Sequence, residues 1–99
     1  MSNIENDIEI IVKRIMGKGV CPAGYKPGDR FIYHYDKIDF CTWAFHSMLP
    51  FLTVMRFGGK FPWGNKDGSI QICCPDPENP VVFEIKVKEK KDGKDKNNK

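Results

Sequence analysis

No two cysteines in this chain stand two residues apart, although there are four of them: Cys21, Cys41, Cys73 and Cys74. That absence removes the paired knuckles of a zinc ribbon and the repeated spacing of ferredoxin-type clusters. The two histidines, His34 and His46, do not stand at metal-ligand spacing from one another. The opening M-S-N-I-E-N-D-I-E is polar and acidic, where a signal peptide requires a basic flank and an apolar run. The longest apolar stretch covers about 18 residues and contains His46, Pro50 and Arg56, short of the roughly 20 clean residues that span a bilayer. Gly58-Gly59-Lys60 lacks the Ser/Thr and the following helix of a phosphate loop, and reads as a helix cap.

Net charge is also scarce where it would matter. The formal charge is +3, and Lys88 to Lys99 accounts for all of it, with six lysines against Glu89, Asp92 and Asp95. The rest of the chain holds ten basic and ten acidic residues, so no clustered basic footprint of a specific nucleic-acid binder is expected. The 99 residues are expected to form one domain over residues 1–87, followed by a disordered lysine-rich tail at 88–99. With neither leader nor span expected, the chain is placed in the cytoplasm. There, cysteines serve as thiols, ligands or redox centres more often than as structural disulfides.

What is present is one long apolar stretch from Phe40 to Trp63. At 3.6 residues per turn, Cys41, Ala44, Phe45, Met48, Leu52 and Met55 share one stripe, which predicts a core-facing helix over Phe40 to Phe57. Asp39 is the expected N-cap and Gly58-Gly59 the expected C-terminal stop. Pro50 removes a hydrogen bond to the His46 carbonyl, so a kink or a break is expected there. Trp43, Pro50, Val54 and Phe57 make the opposite side apolar as well, and a helix of that kind is expected to be covered nearly all round.

Around it the pattern is of strands. In residues 4–16, Ile4, Ile8, Ile11 and Ile15 fit a helical stripe, and Ser2 with Glu5 resembles a capping box. The alternation of Ile8, Ile10 and Val12 and the density of β-branched residues favour a strand, which is the reading adopted. A turn-rich loop at 17–29 closes on Pro27-Gly28 and leads into R-F-I-Y-H-Y, with Phe31, Tyr33 and Tyr35 on one face. Asp67-Gly68 is a hairpin-type turn into S-I-Q-I-C-C, where Ile70, Ile72 and Cys74 face one way and Gln71 and Cys73 the other. V-V-F-E-I-K-V-K puts Val81, Phe83, Ile85 and Val87 inward, and strands 69–74 and 81–88 should pair antiparallel. The order β-β-α-β-β predicts an α+β fold: a small, mainly antiparallel sheet or partial barrel around one central, Pro-kinked helix.

The cysteines carry the strongest chemical expectation. Cys21 and Cys74 each open a C-P-x4-P corner before a strand, and Cys41 sits at a helix start, where the dipole favours thiolate. If those three places meet at one end of the domain, a three- or four-thiolate site for zinc or an iron–sulfur cluster follows. Cys73 and Cys74 could both ligate only where the strand ends or bulges. The plain alternative is that all four are packing residues or inert thiols, Cys being among the most buried residue types. His46 lies about 140° round the helix from Cys41, so the two do not form a nucleophile–base pair, and His34 reads as a half-exposed sheet residue. Tyr33, Tyr35, Trp43, Phe61 and Trp63 could stack on a flat ligand, but core packing is the simpler reading.

The blocks C-P-A-G-Y-K-P-G-D (21–29), C-T-W-A-F-H (41–46), R-F-G-G-K-F-P-W (56–63) and C-C-P-D-P-E-N-P-V-V-F (73–83) resemble those of a family of small, cysteine-containing, uncharacterised prokaryotic proteins. The resemblance covers residues 8–87 and implies one domain, with no activity, cofactor or catalytic residue attached. Three expectations stand. The first is a non-enzymatic metal or iron–sulfur protein using Cys21, Cys41 and one or both of Cys73 and Cys74. The second is a module whose Trp43/His46/Pro50/Trp63 region meets a protein partner or a second copy. The third is a redox-active or catalytic thiol at Cys41 or Cys74.

Overall fold

Alternating β-branched residues make the strands, and their register decides the architecture. A computed structural model describes residues 6–34 and 38–88. The expectations for Ser2, Ile4, Glu5, Tyr35 and the tail beyond Lys88 fall outside these residues. The elements are β1 (Ile8–Ile15), β2 (Arg30–Tyr33), α1 (Thr42–Arg56), β3 (Ile70–Cys73) and β4 (Val81–Val87), in the expected α+β order. They form one four-stranded antiparallel sheet in the order β2-β1-β4-β3, with the two longest strands paired at its centre. The run that could be read two ways is a strand over Ile8–Ile15, and the pairing of β3 with β4 is as expected.

One face of the sheet packs on α1. Phe31, Ile10, Ile85 and Ile70 lie opposite one another across the four strands, and Val12, Phe83 and Ile72 form the next row. Val87 and Tyr33 flank Ile8 on either side. Ala44, Met48, Leu52 and Met55 of α1 are buried with these rows, which is the stripe anticipated from the sequence. The other face carries Glu9, Lys13, Arg30, Glu84 and Lys86. There Arg30 pairs with Glu9 at 2.6 Å, Lys86 with Glu9 at 4.0 Å and Lys13 with Glu84 at 3.8 Å. Exposed pairs of this kind contribute little to stability and keep the surface neutral.

A bulge changes the parity of β1. The register with β4 shifts between Val12 and Arg14, so Arg14 meets Val82 and Ile15 meets Val81. An extra residue in one strand returns an odd-numbered side chain to the inner face. Ile15 accordingly packs against the core with Ile8, Ile10 and Val12.

Two expectations for the helix are corrected, its start and its covering, and of the kink or break expected at Pro50 the break does not occur. Its N-cap is Cys41, not Asp39, and no side chain caps it. Phe40 is the reason: its ring sits 4.8 Å from Phe31, 5.4 Å from Tyr25 and 5.2 Å from Phe83, holding the chain extended until Cys41. Pro50 does not divide α1, which runs unbroken from Thr42 to Arg56. Pro50 and His46 both lie on the exposed side, where a carbonyl deprived of its amide can turn to water. Nor is the helix covered all round: Trp43 is 61% and Phe57 57% exposed, with Leu49 and Val54 beside them.

The C-terminus of α1 behaves as expected. The Gly58 N–H donates to the Met55 carbonyl and the Gly59 N–H to the Val54 carbonyl, the paired bonds of a Schellman motif, with Gly58 at φ +86°. Asp67-Gly68 leads into β3 but joins no strand before it among the described residues, so it is a loop turn and not a hairpin.

Candidate thiol site

Cys21, Cys41 and Cys74 line one pocket of about 110 Å³, together with Pro22, Ala23 and Trp43. Asp76 and Asn79 complete its wall. The three cysteines come from three different places in the chain, and each is brought there by a local device.

Cys74 follows the last residue of β3. Its N–H donates to the Val81 carbonyl at 3.0 Å, which closes the corner between β3 and β4. Its Sγ accepts the Val81 N–H at 3.3 Å and lies 4.0 Å from the Asn79 carbonyl. Within the corner, Asp76 Oδ1 accepts the N–H groups of Glu78 and Asn79 at 2.9 and 3.2 Å, an Asx turn suited to the sequence P-D-P-E-N-P.

Cys21 belongs to the loop between β1 and β2, and that loop lies against the Cys74 corner. Met16 donates its N–H to the Pro80 carbonyl at 2.8 Å, and Lys18 donates its N–H to Asn79 Oδ1 at 3.2 Å. Between them, Gly17 approaches so closely that a Cβ there would stand 1.8 Å from the Glu78 carbonyl oxygen. The two C-P-x4-P corners therefore share a pocket because the backbone of one is bonded to the other. The Gly24 N–H donates to the Cys21 carbonyl, turning the loop back towards Tyr25.

Tyr25 brings in Cys41. Its ring packs 5.0 Å from Phe31 and 5.4 Å from Phe40, and its hydroxyl oxygen accepts the Cys41 N–H at 2.6 Å. That amide would otherwise be an unsatisfied donor at the head of α1. Burial raises the pKa of the phenol above its ordinary value. The Cys41 hydrogen bond acts the other way, while negative charge on Cys41, Cys21 and Asp39 adds to the rise. Tyr25 is therefore neutral at physiological pH and retains a proton to donate.

Cys73 stands apart. It is exposed, opposite Val82, on the sheet face away from α1, while the buried Cys74 takes the inner side. Of the four expected ligands, Cys21, Cys41 and Cys74 share the pocket and Cys73 does not line it. All four cysteines are free thiols. Among the described residues, no group of three or more His, Cys, Asp or Glu side chains is placed to hold a metal ion.

The histidines and the flat aromatics go elsewhere. His34 Nδ1 lies 2.5 Å from Asp7 Oδ1 beside the β1–β2 pair, and His46 is exposed on α1. Tyr33 is in the core and Phe61 packs on Phe51 and Trp63, whereas Trp43 and Trp63 are exposed. Tyr25 and Asp76 are the site residues that sequence reasoning passes over; both lie inside the echoed corners, which carried the available signal. No helix among the described residues is long and apolar enough to cross a membrane. No protein family, curated protein or solved structure matches this chain, so its function is argued from the site alone.

Proposed function

We propose that this protein is a small, non-enzymatic thiolate protein that binds zinc or an iron–sulfur centre through Cys21, Cys41 and Cys74. The observation that carries the reading is the convergence of three cysteines from separate parts of the chain on one pocket, with the fourth, Cys73, left outside. Soft thiolate ligands select these metals. The amide of Val81, already directed at Cys74 Sγ, is the kind of donor that steadies a ligating sulfur. Metal binding on this reading requires the three thiols to come closer together than they stand. A reducing, cytoplasmic location keeps them available.

The test is elemental analysis and a visible spectrum on protein purified without oxygen. Stoichiometric zinc, or iron with sulfide, that survives in Cys73→Ser and is lost in Cys21→Ser supports the reading. A wild-type chain without metal, which takes up neither zinc nor a reconstituted cluster, rejects it.

A second reading rests on the uncovered side of α1, where Trp43, Leu49, Val54 and Phe57 are exposed, with Trp63 also exposed in the loop that follows. Apolar surface of this kind is common at sites of protein association. On this reading the chain is an interaction module for a protein partner or a second copy, without specific nucleic-acid binding. A clean monomer in sedimentation up to high concentration would remove the second copy.

A further inference from the structure

The loop that carries Cys21 is anchored on either side of it. Before it, Met16 bonds the Pro80 carbonyl and Lys18 bonds Asn79; after it, the Tyr25 hydroxyl receives the Cys41 N–H. Between those anchors the hydrogen bonds of the described residues are local to the loop, from the Gly19 N–H to the Met16 carbonyl and from the Gly24 N–H to the Cys21 carbonyl. Cys41 is the fixed partner, since it begins α1 and its amide is held by Tyr25. Both cysteines are half-buried free thiols, and both line the pocket walled by Pro22, Ala23 and the exposed Trp43. Cys74 lines it as well, but it is buried, with its Sγ engaged by the Val81 N–H and the Asn79 carbonyl. That leaves Cys21 and Cys41 as the two thiols open to a molecule in the pocket.

We propose that Cys21 and Cys41 form a reversible dithiol, closed to a disulfide by exchange with a small neutral disulfide that enters the pocket. This exchange uses the pocket of the metal reading without requiring a metal. The Cys21 thiolate attacks one sulfur of the incoming disulfide, whose S–S bond breaks and releases one small thiol. The Cys41 thiolate then attacks the Cys21 sulfur of the mixed disulfide and releases the second. Two protein thiols give up two electrons and two protons, and the small disulfide takes them up as two thiols. The new bond requires the Cα atoms of the pair to lie roughly 4.4–6.8 Å apart, and the Cys21 loop, bonded only to itself between its anchors, is the part that adjusts. Size and charge select the reagent. A pocket of about 110 Å³ compares with about 30 Å³ for one water in the liquid, so an arm of a few heavy atoms fits, and the Asp76 carboxylate on its wall repels an anion.

The full chain, reduced and then freed of reductant and of any metal under nitrogen, is treated with bis(2-hydroxyethyl) disulfide, alkylated and digested for mass spectrometry. The expected product has lost two thiols per chain and joins the Cys21 peptide to the Cys41 peptide, and dithiothreitol returns all four thiols. Cys73→Ser should give the same link, and Cys41→Ser should stop at a mixed disulfide on Cys21. In urea the unfolded chain should give a mixture of pairings, because the pocket that selects Cys21 and Cys41 is gone. Glutathione disulfide, larger and anionic, should react several-fold more slowly with the folded chain; equal rates would overturn the pocket as the point of entry. Four intact thiols, a dominant link through Cys73 or Cys74, or the same mixture folded as unfolded overturns the proposal. Each of these results is read without metal, so failure to take up zinc would reject the metal reading alone.

Discussion

The backbone N–H of Cys41 donates to the phenol oxygen of Tyr25 over 2.6 Å, joining the loop that carries Cys21 to the residue that starts α1. One hydrogen bond thus sets two of the three pocket thiols in relation to each other. Tyr25→Phe keeps the ring among Phe31 and Phe40 and removes only the acceptor. The expected cost is about 1–2 kcal/mol in urea unfolding, the penalty of an orphaned amide. An unchanged midpoint would show that water replaces the hydroxyl.

The same tyrosine gives a pH dependence. Its folded pKa lies above the ordinary value of 10.0, so the unfolded chain loses the proton first. The contribution is fully present below pH 10.0 and is lost as the pH rises through the folded pKa. Stability measured across the alkaline range should fall more steeply in wild type than in Tyr25→Phe.

Asp67 works in the opposite sense at the acid end. Hydrogen bonds from the Ser69 hydroxyl and N–H hold its carboxyl below the usual value of 3.8. Its contribution is present above pH 3.8 and disappears as the pH falls through the lowered pKa. Asp67→Ala should flatten the acid limb of the stability profile. Parallel acid limbs for the two proteins would rule this out.

Gly17 links the Cys21 loop to the Cys74 corner. At φ +66°, with a Cβ directed into the Glu78 carbonyl, alanine cannot be accepted without moving one corner away from the other. Gly17→Ala is expected to cost about 2–4 kcal/mol and, on the proposed thiolate site, to weaken zinc uptake by separating Cys21 from Cys74. Gly58→Ala, at φ +86° beyond the far end of α1, should cost about 1 kcal/mol and leave any zinc uptake by the proposed site as in wild type. Comparison of the two by unfolding and metal titration separates the site from general stability.

The two sides of α1 should respond differently to substitution. Leu52 is fully buried, and Leu52→Ala is expected to cost about 2–5 kcal/mol. Phe57→Ser, on the uncovered side, should change stability by about 0.5 kcal/mol or less. A large loss in Phe57→Ser that shrinks on dilution, as the wild type loses the stabilisation of association, would reveal a second copy covering that side.

Alternation and periodicity made most of the secondary structure legible. Ile8, Ile10 and Val12, and then Val81, Phe83 and Ile85, can bury together only as strands, while Ala44, Met48, Leu52 and Met55 can do so only on a helix. The same local physics misplaced the helix start, because Asp39 is a better cap than Cys41 in isolation and the aromatic packing of Phe40 overrides it. The bulge after Val12 was illegible for a similar reason. Whether a strand skips a residue depends on the partner register, and Val81 and Val82 are almost seventy residues away.

The site divides along the same line. That Cys73 and Cys74 face opposite ways follows from strand geometry and needs no tertiary information. That Cys74, and not Cys73, shares a pocket with Cys21 and Cys41 depends on contacts far apart in sequence: Met16 with Pro80, Lys18 with Asn79, and Cys41 with Tyr25. Side-chain pattern is local and can be read along a chain, whereas the meeting of three loops is set by backbone bonds formed once the sheet has brought β1 beside β4.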